Sequence, residues 1–278
     1  MTDRELEFKS WQYRLDVLRW IKHAGAGHTG GSLSCVDILN VLYHRILNVA
    51  PGPWPDPGRD RYVQSKGHSV EALYVVLADL GFFPASELGT LCRYQSPFVG
   101  HPTRKVPGIE HNTGALGHGL SFCVGVALAG KLDHASFRVF TLLGDGEMAE
   151  GSNWEAAMAA AHYRLDNLTA IVDYNQLQIT GRTRDVCANE PLDAKFAAFG
   201  WAVCAVDGHD LAGLTAALRC PLEPGKPTAL IANTRKGRGV SFMEDVTRWH
   251  HGVPNDDEYA RACAEIQSAI DRVQGGVP

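Results

Sequence analysis

The chain has 278 residues, 45% hydrophobic and 21% charged, a balance that supplies a sizeable core and excludes disordered, collagen-like and low-complexity proteins. Lys+Arg 26 against Asp+Glu 31 gives a net charge of -5, so the overall field draws in neither nucleic acid nor an anionic membrane, and any anion site has to be local. Met1-Thr2-Asp3-Arg4-Glu5 lacks a secretory pattern and no apolar run approaches the ~20 residues of a membrane span, so the expectation is a cytoplasmic protein of one domain, 1–278.

Residues Asp3 to His23 place Leu6, Trp11, Leu15, Leu18 and Ile21 at helical spacing, ending at Gly25 and Gly27. Ser34 is a candidate cap for a second helix over Val36, Ile38, Leu39, Leu42 and Leu47. The run Pro51-Gly52-Pro53-Trp54-Pro55-Asp56-Pro57-Gly58 excludes regular structure and reads as a surface loop. Arg61–Ser65 reads as a short strand and Ser69–Leu80 as a helix stopped by Gly81. Ser86 to Gly114 is broken by Gly and Pro, the sort of loop that carries function. A small-residue helix over Leu116–Lys131 follows.

Apolar runs at 137–143 and 168–172 flank a helix near Asn153–Tyr163, a βαβ unit. Runs at 201–206 and 228–232 add two strands, with helical patterns at Asp193–Phe199 and Asp210–Leu218. This alternation predicts an α/β fold, a mostly parallel sheet flanked by helices on both faces. Ligands in such sheets sit beyond the carboxyl ends of the strands, here the segments opening at Gly144 and Asp173.

Seven scattered cysteines without a C-x-x-C pair read as reduced and mostly buried. Six of the twelve histidines (His28, His68, His101, His118, His209 and His251) adjoin a glycine, which lets a ligand approach the backbone. His23, His44, His111, His134, His162 and His209 read as surface or capping residues.

Gly144-Asp145-Gly146-Glu147 follows one strand and Asp173-Tyr174-Asn175-Gln176-Leu177 the next. Neighbouring strand ends would let the Asp145 carboxylate, the Asn175 amide oxygen and the backbone carbonyl of Leu177 share one hard cation, Mg²⁺ or Ca²⁺, with positions left for water and phosphate oxygens. Gly146 permits close backbone approach to that phosphate.

Gly-Asp-Gly with Asn about thirty residues on resembles the thiamine diphosphate fingerprint. Ala26-Gly27-His28-Thr29-Gly30-Gly31, Asp37-Ile38-Leu39, Ser65-Lys66-Gly67-His68, Gly100-His101-Pro102 and Thr113-Gly114-Ala115-Leu116-Gly117-His118-Gly119 resemble transketolase motifs, in transketolase order. The resemblance covers nearly the whole chain, but only the amino-terminal, diphosphate-binding part of a full-length transketolase.

It implies thiamine diphosphate as cofactor, with Mg²⁺ for which Ca²⁺ or Mn²⁺ can substitute, held by Asp145, Asn175 and Leu177. Gly146 and His68 would contact the diphosphate, and Gly114 and Leu116 the aminopyrimidine. His28 and His101 match substrate-channel histidines able to exchange protons near neutral pH. In Trp249-His250-His251-Gly252 the motif fits either histidine, and His250, next to Trp, is favoured for both catalysis and cofactor contact. Glu150 and Glu155 match a carboxylate cluster at the subunit interface near the cofactor, where shared protons could couple two active sites. Arg235-Lys236-Gly237-Arg238-Gly239 resembles a loop over the active site, either phosphate-facing or a solvated charge run.

The resemblance further implies that the pyrimidine-binding domain resides on a separate carboxy-terminal subunit, that the two chains form a heterotetramer, and that sugar phosphates are the substrates of a two-carbon ketol transfer. One alternative passes the two-carbon unit to a lipoyl group or carrier protein. Another is a degenerate binding module, against which the intact Asp145/Asn175 pair argues.

Overall fold

The computed structural model describes residues 1–52 and 56–275. Five parallel strands form its sheet: β1 (Arg61–Gln64), β2 (Val139–Gly144), β3 (Leu168–Tyr174), β4 (Ala202–Asp207) and β5 (Thr228–Asn233), in the order β1-β2-β3-β5-β4. Successive side chains leave a strand on opposite faces, so each apolar run feeds two cores. Phe140, Leu142, Ile171 and Leu230 enter one; Val139, Leu143, Val172 and Ile231 enter the other.

Helices α1 (Asp3–Ala24), α2 (Thr29–Val41), α3 (Val70–Asp79) and α8 (Leu211–Leu218) cover the first face. Helices α4 (Gly119–Leu132), α5 (Gly151–His162) and α7 (Leu192–Ala198) cover the second. A short helix α6 (Thr183–Val186) lies between β3 and α7, and α9 (Asp256–Gly275) packs along α1. The fold class expected from the sequence is therefore observed.

Local chemistry sets the helix ends. Thr2 accepts from the Glu5 N–H at 3.2 Å while the Glu5 carboxylate returns to Thr2 N at 2.7 Å. This capping box, worth about 1 kcal/mol, starts α1, and Gly25 at φ 68 ends it.

Four expectations need correction. Helix α2 starts at Thr29, five residues before Ser34, because Gly30 and Gly31 mark close packing: a Cβ on Gly30 would lie 2.9 Å from the Trp249 carbonyl oxygen. Helix α9 was not anticipated, although Asn255 and Glu258 cap it reciprocally at 2.8 and 2.9 Å. Of seven free cysteines only Cys35 and Cys123 are buried, and Cys92, Cys187 and Cys220 are exposed. His44 and His209 are not surface groups: their side chains are 8% and 13% exposed, and they bond to Tyr13 and Asp37. Pro53, Trp54 and Pro55 of the expected surface loop lie outside the described residues. Among the described residues no helix is long and apolar enough to cross a membrane.

Candidate functional site

The register pairs Gly144 with Asp173, so β2 and β3 end side by side and their following loops share one place beyond the sheet. A cavity of about 350 Å³ opens there, lined by Asp145, Gly146, Asn175, Leu177, Lys66 and Lys236, with His28, His68, His250, Gly114, Leu116 and Glu150 around them.

Asp145 is 2% exposed. One carboxylate oxygen accepts from Gly146 N at 2.7 Å, and the other from Gln176 N and, at 3.4 Å, from the Thr183 hydroxyl. Burial and the nearby Asp173 carboxylate push its acid up to about 6. Asn175 Oδ1 accepts from Leu177 N at 3.1 Å, which folds the turn and brings the Leu177 carbonyl round. That carbonyl accepts from Lys236 Nζ at 2.9 Å, and its second lone pair remains for another partner.

Two lysines balance the buried carboxylates. Lys66 pairs with Asp173, which also accepts from Ser34 Oγ at 2.6 Å and from the Thr234 hydroxyl. Lys236 is 2% exposed, and burial with the neighbouring Lys66 lowers it to about 8. Arg235 and Arg238 of the same basic run face outward toward Glu244. The run thus divides into one buried cavity cation and two surface guanidiniums.

Beneath the cavity lies a residue that the sequence reading passed over. Glu147 is buried, with one oxygen accepting from Gly117 N at 2.9 Å and from the Ser65 hydroxyl, and the other accepting from Gly144 N at 3.0 Å. It pins the 114–117 loop to the β2 end; a carboxylate directly beside Asp145-Gly146 was the available signal. Glu71 was also missed. Buried on α3, it accepts from His28 N at 3.3 Å and Ser32 Oγ at 2.8 Å, and burial pushes it up to about 7.

Three histidines, His28, His68 and His250, line the cavity, and His101 and His251 pack on His28. The His28 ring lies 5.3 Å from His68, 5.9 Å from His101, 5.8 Å from His250 and 4.6 Å from His251, and His68 stacks on His250 at 5.0 Å. Burial, then neighbouring rings and lysines, lowers His28 to about 4 and His250 to about 3, and pulls His68 well down. Burial also lowers His101. In all four the shift favours the neutral imidazole. His28 Nδ1 is buried with no partner, and His250 Nδ1 lies 2.8 Å from Lys236 Nζ. Of the pair that the sequence left ambiguous, His250 lines the cavity and His251 is exposed.

The remaining expected residues separate by position. Glu150 lines the cavity beside Gly117, whereas Glu155 is exposed on α5 and outside the lining. His118 is exposed, and its ring bonds to its own turn, at Leu116 O. Gly114, at φ 140, admits the His101 ring where a Cβ would come within 2.8 Å of it.

The donor set discriminates among ligands. Among the described residues no three His, Cys, Asp or Glu side chains converge on a metal position. Asp145, Asn175 and the Leu177 carbonyl instead offer hard oxygens. Gln178 Nε2 is buried and unpartnered, and the bare Cα of Gly146 lies against Gln178, leaving no room for a Cβ. An unused buried donor and two cations suit an anion lying next to a hard cation.

Residues 11–267 match the model of the transketolase thiamine diphosphate-binding domain. The chain belongs to the transketolase family. It is 46% identical over 270 residues to an apulose-4-phosphate transketolase subunit of Phocaeicola vulgatus, covering 97% of this chain and 96% of that one. It is 41% identical to a 6-deoxy-6-sulfo-D-fructose transketolase subunit of a Clostridium species, covering 95% and 96%. The crystal structure of Campylobacter jejuni transketolase superposes with a TM-score of 0.89 at 27% identity, covering 98% of this chain and 46% of that one. The chain therefore spans just under half the length of that solved transketolase. It is a transketolase-type transferase subunit of the amino-terminal, thiamine diphosphate-binding kind. The names of these relatives are those of sugar transketolases, which does not favour the carrier-linked alternative.

Proposed function

We propose that this transketolase subunit holds thiamine diphosphate and Mg²⁺ in the cavity beyond β2 and β3 and, with a separate carboxy-terminal chain carrying the pyrimidine-binding domain, moves a two-carbon ketol unit from a ketose phosphate to an aldose. The observation that carries this reading is the meeting, in one cavity, of the hard-oxygen set Asp145, Asn175 and Leu177 with the unpartnered Gln178 amide, bare Gly146 and the two lysines. The single domain over 1–278 and a cytoplasmic location complete the proposal; seven free cysteines support a reducing compartment.

When bound, thiamine diphosphate supplies the electron sink for carbon–carbon bond cleavage and formation. Asp145, Asn175 and the Leu177 carbonyl would hold Mg²⁺, or Ca²⁺ or Mn²⁺ in its place. Gly146, Gln178 Nε2, Lys236 and His68 would face the diphosphate, and Gly114 and Leu116 the aminopyrimidine. Burial favours the neutral form of His28, His101 and His250, which suits them to hydrogen-bond sugar hydroxyls, His28 through its unpartnered Nδ1. Glu150 at the cavity edge, with Glu155 behind it on α5, would meet the second copy in a heterotetramer.

The test is reconstitution with the carboxy-terminal chain. Aldose release from a ketose phosphate should require both chains, thiamine diphosphate and Mg²⁺; activity of either chain alone, or without the cofactor, would overturn the proposal.

A further inference from the structure

The segment that carries Lys236 into the cavity is fastened from outside it. Arg235 N lies 2.9 Å from His209 Nε2. A backbone N–H can only donate, so Nε2 holds the lone pair and the ring proton sits on Nδ1, which donates to Asp37 Oδ2 at 2.7 Å. Asp37 is also gripped by both terminal nitrogens of Arg14, at 3.0 and 2.6 Å. Arg14 then reaches the same segment a second time, donating through Nε to the Arg238 carbonyl at 3.1 Å. The buried Arg14 and Asp37 side chains thus hold the backbone at residue 235 through His209 and at residue 238 directly. Lys236 lies between the two anchors, with Nζ on the Leu177 carbonyl and beside His250. None of His209, Asp37 and Arg14 lines the cavity.

We infer that His209 is a positioning residue for the cofactor site: with the Arg14–Asp37 pair it clamps the backbone on both sides of Lys236 and fixes where that ammonium stands. This rests on the cavity being the thiamine diphosphate site. The clamp needs a group that donates on one side and accepts on the other, at imidazole length. Glutamine meets that requirement, with its amide N–H toward Asp37 and its oxygen toward Arg235 N, whereas phenylalanine keeps the ring and loses both bonds.

The experiment uses the chain copurified with its carboxy-terminal partner, as wild type, H209F, H209Q, K236M and H209F/K236M. Thiamine diphosphate is titrated calorimetrically at saturating Mg²⁺, and hydrogen exchange is followed at the Arg235 amide. H209F is expected to raise Kd by about tenfold and to speed Arg235 exchange, while H209Q returns both toward wild type. If His209 acts through Lys236, the double variant binds no more weakly than K236M alone. Additive penalties, unchanged Kd in H209F, or equal exchange in H209F and H209Q would each overturn the inference. Should H209F not fold, an Arg235 amide that is unprotected in the wild type has the same force. A wild-type complex that takes up no thiamine diphosphate refutes the cofactor reading instead, and the exchange comparison still decides whether the clamp exists.

Discussion

Replacing Asp145 by Asn is expected to stabilise the metal-free chain in mild alkali while abolishing Mg²⁺-dependent cofactor binding. Burial, reinforced by Asp173, raises this carboxyl from 3.8 to about 6. The folded state therefore holds the proton more tightly than the unfolded chain does. The stability linked to that proton is complete below about pH 4 and is lost as pH rises through about 6, the loss reaching about 3 kcal/mol by pH 8. Asparagine removes the charge but keeps one acceptor oxygen for the donors Gly146 N, Gln176 N and Thr183, a loss of about 1–2 kcal/mol. The net gain at pH 8 is about 1–2 kcal/mol, or about 2–4 °C in Tm for a chain of this size. At pH 5 the folded carboxyl is protonated but that of the unfolded chain is already ionised, so about 1.5 kcal/mol of that stability is gone and the two chains are about equally stable. Scanning calorimetry in EDTA at both pH values measures this directly. A variant less stable by the same amount at pH 5 and pH 8 refutes the reasoning.

Three further outcomes are expected. Glu71→Gln keeps one acceptor oxygen for the His28 N–H and turns its amide N–H toward the Ser32 hydroxyl, which can accept. Because burial raises Glu71 to about 7, the wild type loses stability as pH rises from 6 to 8, and the variant should lose less; parallel Tm-against-pH curves would contradict this. Gly146→Ala places a Cβ 2.8 Å from Gln178 Cγ, so the fold survives by a shift of that flexible side chain while thiamine diphosphate affinity in the complex falls about tenfold; calorimetric titration reads the difference. Thermal stabilisation of the complex by thiamine diphosphate should vanish in EDTA and return with Mg²⁺, Ca²⁺ or Mn²⁺. Full stabilisation in EDTA would argue against the hard-oxygen site.

The sheet was legible because its inner strands β2, β3 and β5 are buried on both faces and stand out as continuous apolar runs. Helix α9 was harder to read: only Ala262, Ile266, Ala269 and Ile270 of its length are buried, on a stripe packed against α1. The Gly30-Gly31 pair hid the start of α2, since propensity marks glycine as a helix breaker and only the tertiary contact with Trp249 explains it inside a helix. Within the site, Asp145 and Asn175 were readable from their place after two strands. Lys236 and Glu71 were not, because their burial depends on loops and helices that meet only in three dimensions. The motif fits either of the histidines 250 and 251 and favours His250, and the short helical turn Thr247–His251 places His250 in the cavity lining and leaves His251 outside.

The exposed thiols are distributed unevenly about the sheet. Cys187 lies on the connection leaving β3, and Cys92 precedes Arg93, which donates to the His23 carbonyl five residues before His28. Both belong to the end that carries the cavity. Cys220 follows α8 and precedes β5, at the opposite end. With Cys92 and Cys187 changed to serine, Cys220 would become an attachment point for a dye, spin label or solid support. A chain immobilised through it would present the cavity to solution, open to titration with cofactor and partner.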